Sequence, residues 1–131
     1  MNGVGPIALI VCTSSVEVEN MFRLLKRFLR NCDTRLKIIT AYGMRNEVKV
    51  QAELLNGCDI LLVTQPCLSR LLNGPINLFD INRIEHLVID NIDIIYDRFS
   101  DMIQETLKHF SPCFSKNRIQ VSICLNCKWS I

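Results

Sequence analysis

Apolar residues follow two alternating patterns along the chain. Short continuous runs occupy residues 6–12 (Pro-Ile-Ala-Leu-Ile-Val-Cys), 36–42, 59–64, 84–90 and 118–125. Such runs, bounded by turn-forming residues, read as strands buried on both faces of a parallel sheet. The stretches between them carry a helical period. Val18, Met21, Leu24, Leu25, Phe28 and Leu29 recur at three- and four-residue spacing and predict an amphipathic helix over 16–31, capped by Ser14 or Ser15. Asn46 is the expected cap of a short helix through Leu55, ended by Asn56-Gly57. Pro66 is expected to start another, with Leu68, Leu71 and Leu72 on its inner side. Ile95, Phe99, Met102, Ile103, Leu107 and Phe110 mark a helix over 93–110, with Asp93 as its N-cap and Pro112 as its stop. Strands alternating with helices predict an α/β fold with a doubly wound parallel sheet and right-handed crossovers.

Length and composition narrow the class. The 131 residues suffice for one domain with a real core, and a 49% hydrophobic content excludes a disordered chain. No apolar run approaches the roughly 20 residues that span a bilayer, so no membrane partner is expected. Residues 1–6 lack the basic region of a signal peptide. A net charge of +2 does not by itself announce nucleic-acid binding. The basic excess on the helix over 16–31 (Arg23, Lys26, Arg27 and Arg30) reads as a solvated face, with RNA contact as the alternative. Glu19 and Arg23 form an i,i+4 pair there. The seven cysteines sit mostly within or beside apolar runs and read as reduced, buried thiols. Cys124-Leu-Asn-Cys127 has no second pair and no suitably spaced His, so it reads as a strand end carrying two thiols, not as a zinc site.

The chemistry concentrates at residues 86–97. The fourth apolar run delivers Asp90 to its carboxyl end, and Asp93 follows three residues later. Open α/β sheets bind ligands at the carboxyl ends of their strands, and in phosphoryl-transfer enzymes an Asp in this place holds Mg²⁺ against nucleotide phosphates. The plainer reading has Asp90 capping the next turn. Neither His86 nor His109 is read as catalytic; His109 stands near a helix carboxyl end, where a cation suits the dipole. Trp129 fits either edge packing or a partner contact.

Residues 90–93, Asp-Asn-Ile-Asp, resemble motif II of the DEAD-box RNA helicases, with D-N-I-D for D-E-A-D. The neighbours extend the resemblance over nearly the whole chain. Residues 8–15 (Ala-Leu-Ile-Val-Cys-Thr-Ser-Ser) lie where that family has a strand leading into P-T-R-E-L-A. Residues 41–44 lie where it has a strand ending in a Gly pair. Residues 57–66 followed by Leu71-Leu72 look like G-x-D-I-L-V-A-T-P-G-R-L-L, and residues 94–99 parallel R-M-L-D-x-G-F. The resemblance implies a RecA-like domain of the P-loop NTPase type, the first of a helicase's two, truncated before motif Ia so that residues 1–131 lack the P-loop and the second domain. A sheet cut in this way is expected to expose an unpaired edge or apolar face and to be marginally stable or self-associating.

The resemblance also implies site residues. Asp90 stands at the Mg²⁺ position and Asp93 is retained, but Asn91 replaces the Glu that would polarise the attacking water. An amide takes no proton, and general-base help is typically worth about 10²- to 10⁴-fold in rate. No G-x-x-x-x-G-K-[ST] is present, Gly3-Val4-Gly5 precedes a strand instead of opening a helix, and Ile123-Cys124-Leu125 stands where S-A-T would be. On the RNA side the implied residues are Ser14, Ser15, Gly43, Thr64 and Gln65. Ser15 replaces the Arg of motif Ia and Val16 its Glu; Gln65, Pro66 and Cys67 replace the Pro, Gly and Arg of motif Ib. Two cationic phosphate contacts are thereby lost.

The residue strings G-P-I-A-L-I-V-C and G-C-D-I-L-L-V-T are similar to the helicase-like domain of the Tudor-domain-containing Yb group of piRNA-pathway proteins. That resemblance implies germline RNA silencing, Tudor domains elsewhere in the protein, Piwi-type partners and a cytoplasmic location, including perinuclear granules. The parent family implies ATP and Mg²⁺ as cofactors; the departures imply no cofactor for this chain alone. The expectation is a helicase-like RNA-binding domain inactive as an ATPase, and the alternative is a non-catalytic protein-interaction scaffold on the same fold. An unrelated α/β enzyme is disfavoured, since no nucleophile elbow, HExxH or G-x-G-x-x-G occurs.

Overall fold

The computed structural model describes residues 5–32, 35–43, 47–74, 78, 80–116 and 118–124. Each expected strand and helix forms. In chain order they are β1 (Ala8–Cys12), α1 (Ser15–Leu29), β2 (Ile38–Ala41), α2 (Glu47–Leu55), β3 (Ile60–Thr64), α3 (Gln65–Asn73), β4 (His86–Asp90), α4 (Ile92–Ser115) and β5 (Gln120–Cys124). A single 3₁₀ turn, Ile81–Arg83, precedes β4. The five strands form one parallel sheet in the order β2-β3-β1-β4-β5.

The continuous apolar runs of β1 and β3 follow from this layering, because helices lie on both faces of the sheet there. Leu9, Val11, Leu61, Val63, Leu87 and Ile89 point to one side and share a core with Val50 and Leu54 of α2, Leu68 and Leu71 of α3, and Ile95, Ile103 and Phe110 of α4. Cys12 and Leu62 face the other side, where Val18, Met21, Phe22 and Leu25 of α1 cover them. Among the described residues β2 and β5 form the edges. Val121 and Ile123 of β5 are 38% and 56% exposed.

Three local features differ from the sequence reading. Helix α4 runs through Pro112 to Ser115 instead of stopping there. Pro inside a helix costs about 3 kcal/mol, but here the next two residues anchor the turn, Cys113 buried and Phe114 packed against the main core. Asp93 is not the N-cap of α4. Asn91 takes that position in the left-handed conformation (φ 59°, ψ 55°), and Asp93 lies in the first turn. Helix α4 is also broken at Phe99, whose φ/ψ of −136°/41° is non-helical. On α1, Arg23 donates to Asn20 Oδ1 (2.6 Å) and Glu19 accepts from Tyr42 O–H (2.7 Å), so neither serves the expected i,i+4 pair. Asn46, Cys127 and Trp129 lie outside the described residues.

Candidate functional site

A parallel sheet gathers the carboxyl ends of its strands on one rim, and the residues just beyond those ends are the ones free to meet a ligand. Thr13, Ser14 and Ser15 follow β1, Tyr42 and Gly43 follow β2, Thr64 ends β3 and Asp90 ends β4. The rim carries two separate groups of residues.

The first is an open cleft of about 270 Å³ lined by Thr13, Ser15, Tyr42, Gly43, Thr64, Pro66, Arg70 and Phe99. Two helices begin at its wall. Ser14 caps α1, its Oγ accepting from Glu17 N–H at 3.3 Å, which leaves the hydroxyl proton available to donate. Thr64 caps α3 without a side-chain cap bond. Helix amino ends favour anions through their N–H groups and dipole. Two half-buried aromatic side chains, Tyr42 and Phe99, stand among the hydroxyls. The break at Phe99 falls at the cleft wall. A second depression, lined by Ser15, Val16, Glu19, Arg23 and Tyr42, adjoins the cleft through Ser15 and Tyr42. The combined groove has Arg70 at one end and Arg23 at the other.

Three expected RNA-side residues, Ser15, Gly43 and Thr64, therefore meet in one cleft, with Ser14 behind Ser15. Gln65 does not join them. It is 1% exposed, and its Nε2 donates inward to Thr106 Oγ1 (2.7 Å), Ser69 Oγ (3.3 Å) and the Met102 carbonyl (3.4 Å). The first residue of α3 turns its side chain towards α4, so Gln65 ties two helices together and offers no polar atom to a ligand. Cys67, at the position of the lost motif Ib Arg, is likewise buried, and burial pushes its thiol above the ordinary value. The cleft's own cation is Arg70, one helical turn after Pro66 on the same face of α3. Its i,i+4 spacing puts it on the face of α3 that carries Pro66, but only the assembled fold brings that face to the cleft. Arg70 Nε pairs with Glu47 Oε1 at 3.3 Å, with both side chains about half exposed.

The second group surrounds Asp90. From β1 the chain crosses to β2 at one edge and returns through β3, while β4 and β5 extend the sheet on the other side, so the crevice between β1 and β4 is the switch point where such sheets bind ligands. Asp90 stands there beside Cys12. Burial pushes the Cys12 thiol up to about 12, and the negative charges of Asp90 and Glu17 add to the rise. Gly5 lies before β1, at the opposite rim of the sheet, with its carbonyl accepting from Arg83 (2.7 Å), so it forms no phosphate cradle at Asp90. Among the described residues no three His, Cys, Asp or Glu side chains converge on a metal-sized site. Asp90 ends β4 at this crevice, and the residue beside it, Asn91, carries an amide that takes no proton.

The parallel sheet, with its ligand positions on the carboxyl rim, defines a RecA-like α/β domain. Residues 1–126 match the DEAD/DEAH box helicase family, and the chain belongs to it. Similar curated proteins are TDRD12 of Bombyx mori (30% identical, 88% of this chain and 6% of that protein), TDRD12 of Homo sapiens (26%, 81% and 9%) and the pre-mRNA-splicing ATP-dependent RNA helicase PRP28 of Candida glabrata (28%, 80% and 18%). The chain is thus related to ATP-dependent RNA helicases and spans less than a fifth of each of these proteins. The fold is shared with the yeast DEAD-box splicing factor Prp28 (TM-score 0.80, 24% identity, 95% of this chain and 29% of that one). It is shared also with a DEAD box protein from Methanococcus jannaschii (TM-score 0.73, 16% identity, 96% and 32%). The family generally uses ATP and Mg²⁺ and binds RNA. No described helix is long and apolar enough to cross a membrane.

Proposed function

We propose that this domain holds single-stranded RNA along the carboxyl ends of β1, β2 and β3 and does not hydrolyse ATP on its own. The observation that carries the reading is the convergence of Thr13, Ser15 and Thr64 hydroxyls, the rings of Tyr42 and Phe99, and Arg70 on one open cleft. Hydroxyls, helix amino ends and a guanidinium suit phosphodiesters, and aromatic faces suit unstacked bases. Membership in the helicase family supports RNA as the ligand. Asn91, an amide where the family's motif has a proton-accepting carboxylate, supports the absence of turnover. The similarity to TDRD12 proteins, together with the Yb-group motifs, supports a role in RNA silencing alongside Tudor-domain and Piwi-type partners, in cytoplasmic or perinuclear granules.

A scaffold reading has one observation in its favour. Val16, Leu24 and Phe28 form an exposed apolar line on α1, 64%, 47% and 68% exposed, beside Arg23 and Arg27. The deciding experiment measures RNA binding and RNA-stimulated ATP turnover on the same protein, beside Asp90→Ala. RNA binding without turnover above that control supports the proposal. Turnover abolished by Asp90→Ala makes the domain a working ATPase, and absence of RNA binding leaves the scaffold.

A further inference from the structure

We infer that Arg70 is the phosphate-engaging cation of the cleft and that Glu47 masks it until RNA arrives. The inference rests on the RNA reading above and adds the mechanism by which affinity is held down. Arg70 lines the cleft with Thr13, Ser15 and Thr64, and it also lines the smaller cavity behind, shared with Glu47, Gly43 and Cys67. It therefore stands between the ligand groove and the half-exposed Glu47 carboxylate.

The ion pair joining Arg70 to Glu47 is of the exchangeable kind. One contact is made, from Nε to Oε1 at 3.3 Å, instead of the paired fork that Arg forms with a firmly held carboxylate. The side chains are 49% and 52% exposed, so water screens the attraction. A phosphodiester entering the cleft presents two terminal oxygens that a guanidinium fork can engage together. Gly43 offers no side chain in the way. A Cβ placed there would sit 3.5 Å from Arg70 Nη2, in plain contact, so the guanidinium lies directly over the backbone that follows β2. The arrangement also accounts for the buried thiol at Cys67. The cationic function has moved one turn along α3 to the exposed face, and the former position has joined the core.

The test titrates the full chain with a short single-stranded oligouridylate at several salt concentrations, comparing wild type, Arg70→Gln, Glu47→Gln and the double variant. Arg70→Gln is expected to weaken binding about tenfold and to make the salt dependence shallower by about 0.7 in log–log slope, the loss of one phosphate contact on a single strand. Glu47→Gln is expected to tighten binding severalfold in the wild-type background and to change nothing when Arg70 is already Gln. Arg118→Gln, a charge loss before β5 at the opposite rim, should leave the slope as it is. If the pair only clamps α2 to α3, both single variants will lower the melting temperature and leave RNA binding unchanged, which overturns the inference while the RNA reading stands. If neither wild type nor Glu47→Gln binds the oligonucleotide, the RNA reading itself fails and the inference falls with it.

Discussion

Gln65 Nε2 donates to Thr106 Oγ1 at 2.7 Å, both residues being almost wholly buried, and this bond fastens the head of α3 to the middle of α4. It lies directly beneath the cleft wall formed by Thr64, Pro66 and Phe99. The Oε1 of the same amide is buried and makes no hydrogen bond. A buried polar pair with one orphan atom is stabilising only while both members are present. Gln65→Leu alone strands the Thr106 hydroxyl and is expected to cost about 1–3 kcal/mol. Thr106→Val alone should cost a similar amount. The double variant removes the orphan as well and should return close to wild-type stability, giving a large coupling energy in denaturant melts. Additive losses would show that the bond contributes nothing.

Asn91 supports a second prediction, because its backbone rather than its side chain is constrained. A left-handed φ of 59° costs a β-branched residue about 1–2 kcal/mol, and Asn and Gly tolerate it. Asn91→Gly should leave the melting temperature unchanged or raise it. Asn91→Val should lower it by several degrees. Equal melting of the two variants would remove the constraint from the account.

The cysteines supply a pH prediction. Burial raises Cys12 and Cys58 from an ordinary 9.0 to about 12 in the folded protein. The unfolded chain therefore releases these protons first, and binds fewer than the folded chain between the two values. The stabilisation is present in full below pH ~9 and disappears as the pH rises through about 12. Urea midpoints should accordingly hold steady through neutral pH and fall above ~9. Native-state alkylation at neutral pH should mark Cys32 and Cys124, which are exposed, well before Cys12, Cys58 or Cys67.

A fourth prediction separates stacking from hydrogen bonding in the cleft. Tyr42 lines both halves of the groove, and its hydroxyl is engaged by Glu19. Tyr42→Ala should weaken oligouridylate binding by ~1–3 kcal/mol, the range for one stacked base. Tyr42→Phe keeps the ring and should bind like wild type. A loss of equal size in both variants would place the contact in the hydroxyl.

The elements were legible in the sequence because β1 and β3 carry apolar residues towards both faces of the sheet and β4 buries Leu87 and Ile89 on one, so those strands read as apolar runs that stop at polar turn residues. The site was legible in part. Ser15, Gly43 and Thr64 lie next to strand ends, where the chain pattern alone places them on the rim. Gln65 misled, since a polar residue at a helix start normally faces solvent and only α4, forty residues later in sequence, supplies its partners. Pro112 misled for a related reason: local chemistry stops a helix there, and tertiary packing of Cys113 and Phe114 overrides it. Arg70 escaped notice because its relation to Gly43 and Glu47 exists only once β2, α2 and α3 are assembled.

The most direct test of RNA binding at the carboxyl rim is amide chemical-shift mapping by NMR as single-stranded oligouridylate is added. The account predicts that the shifts concentrate at residues 13–15, 42–43, 64, 70 and 99, the cleft lining, and leave the residues before β5 still. Shifts confined to the outer face of α1, around Leu24 and Phe28, or no shifts at all, would contradict it.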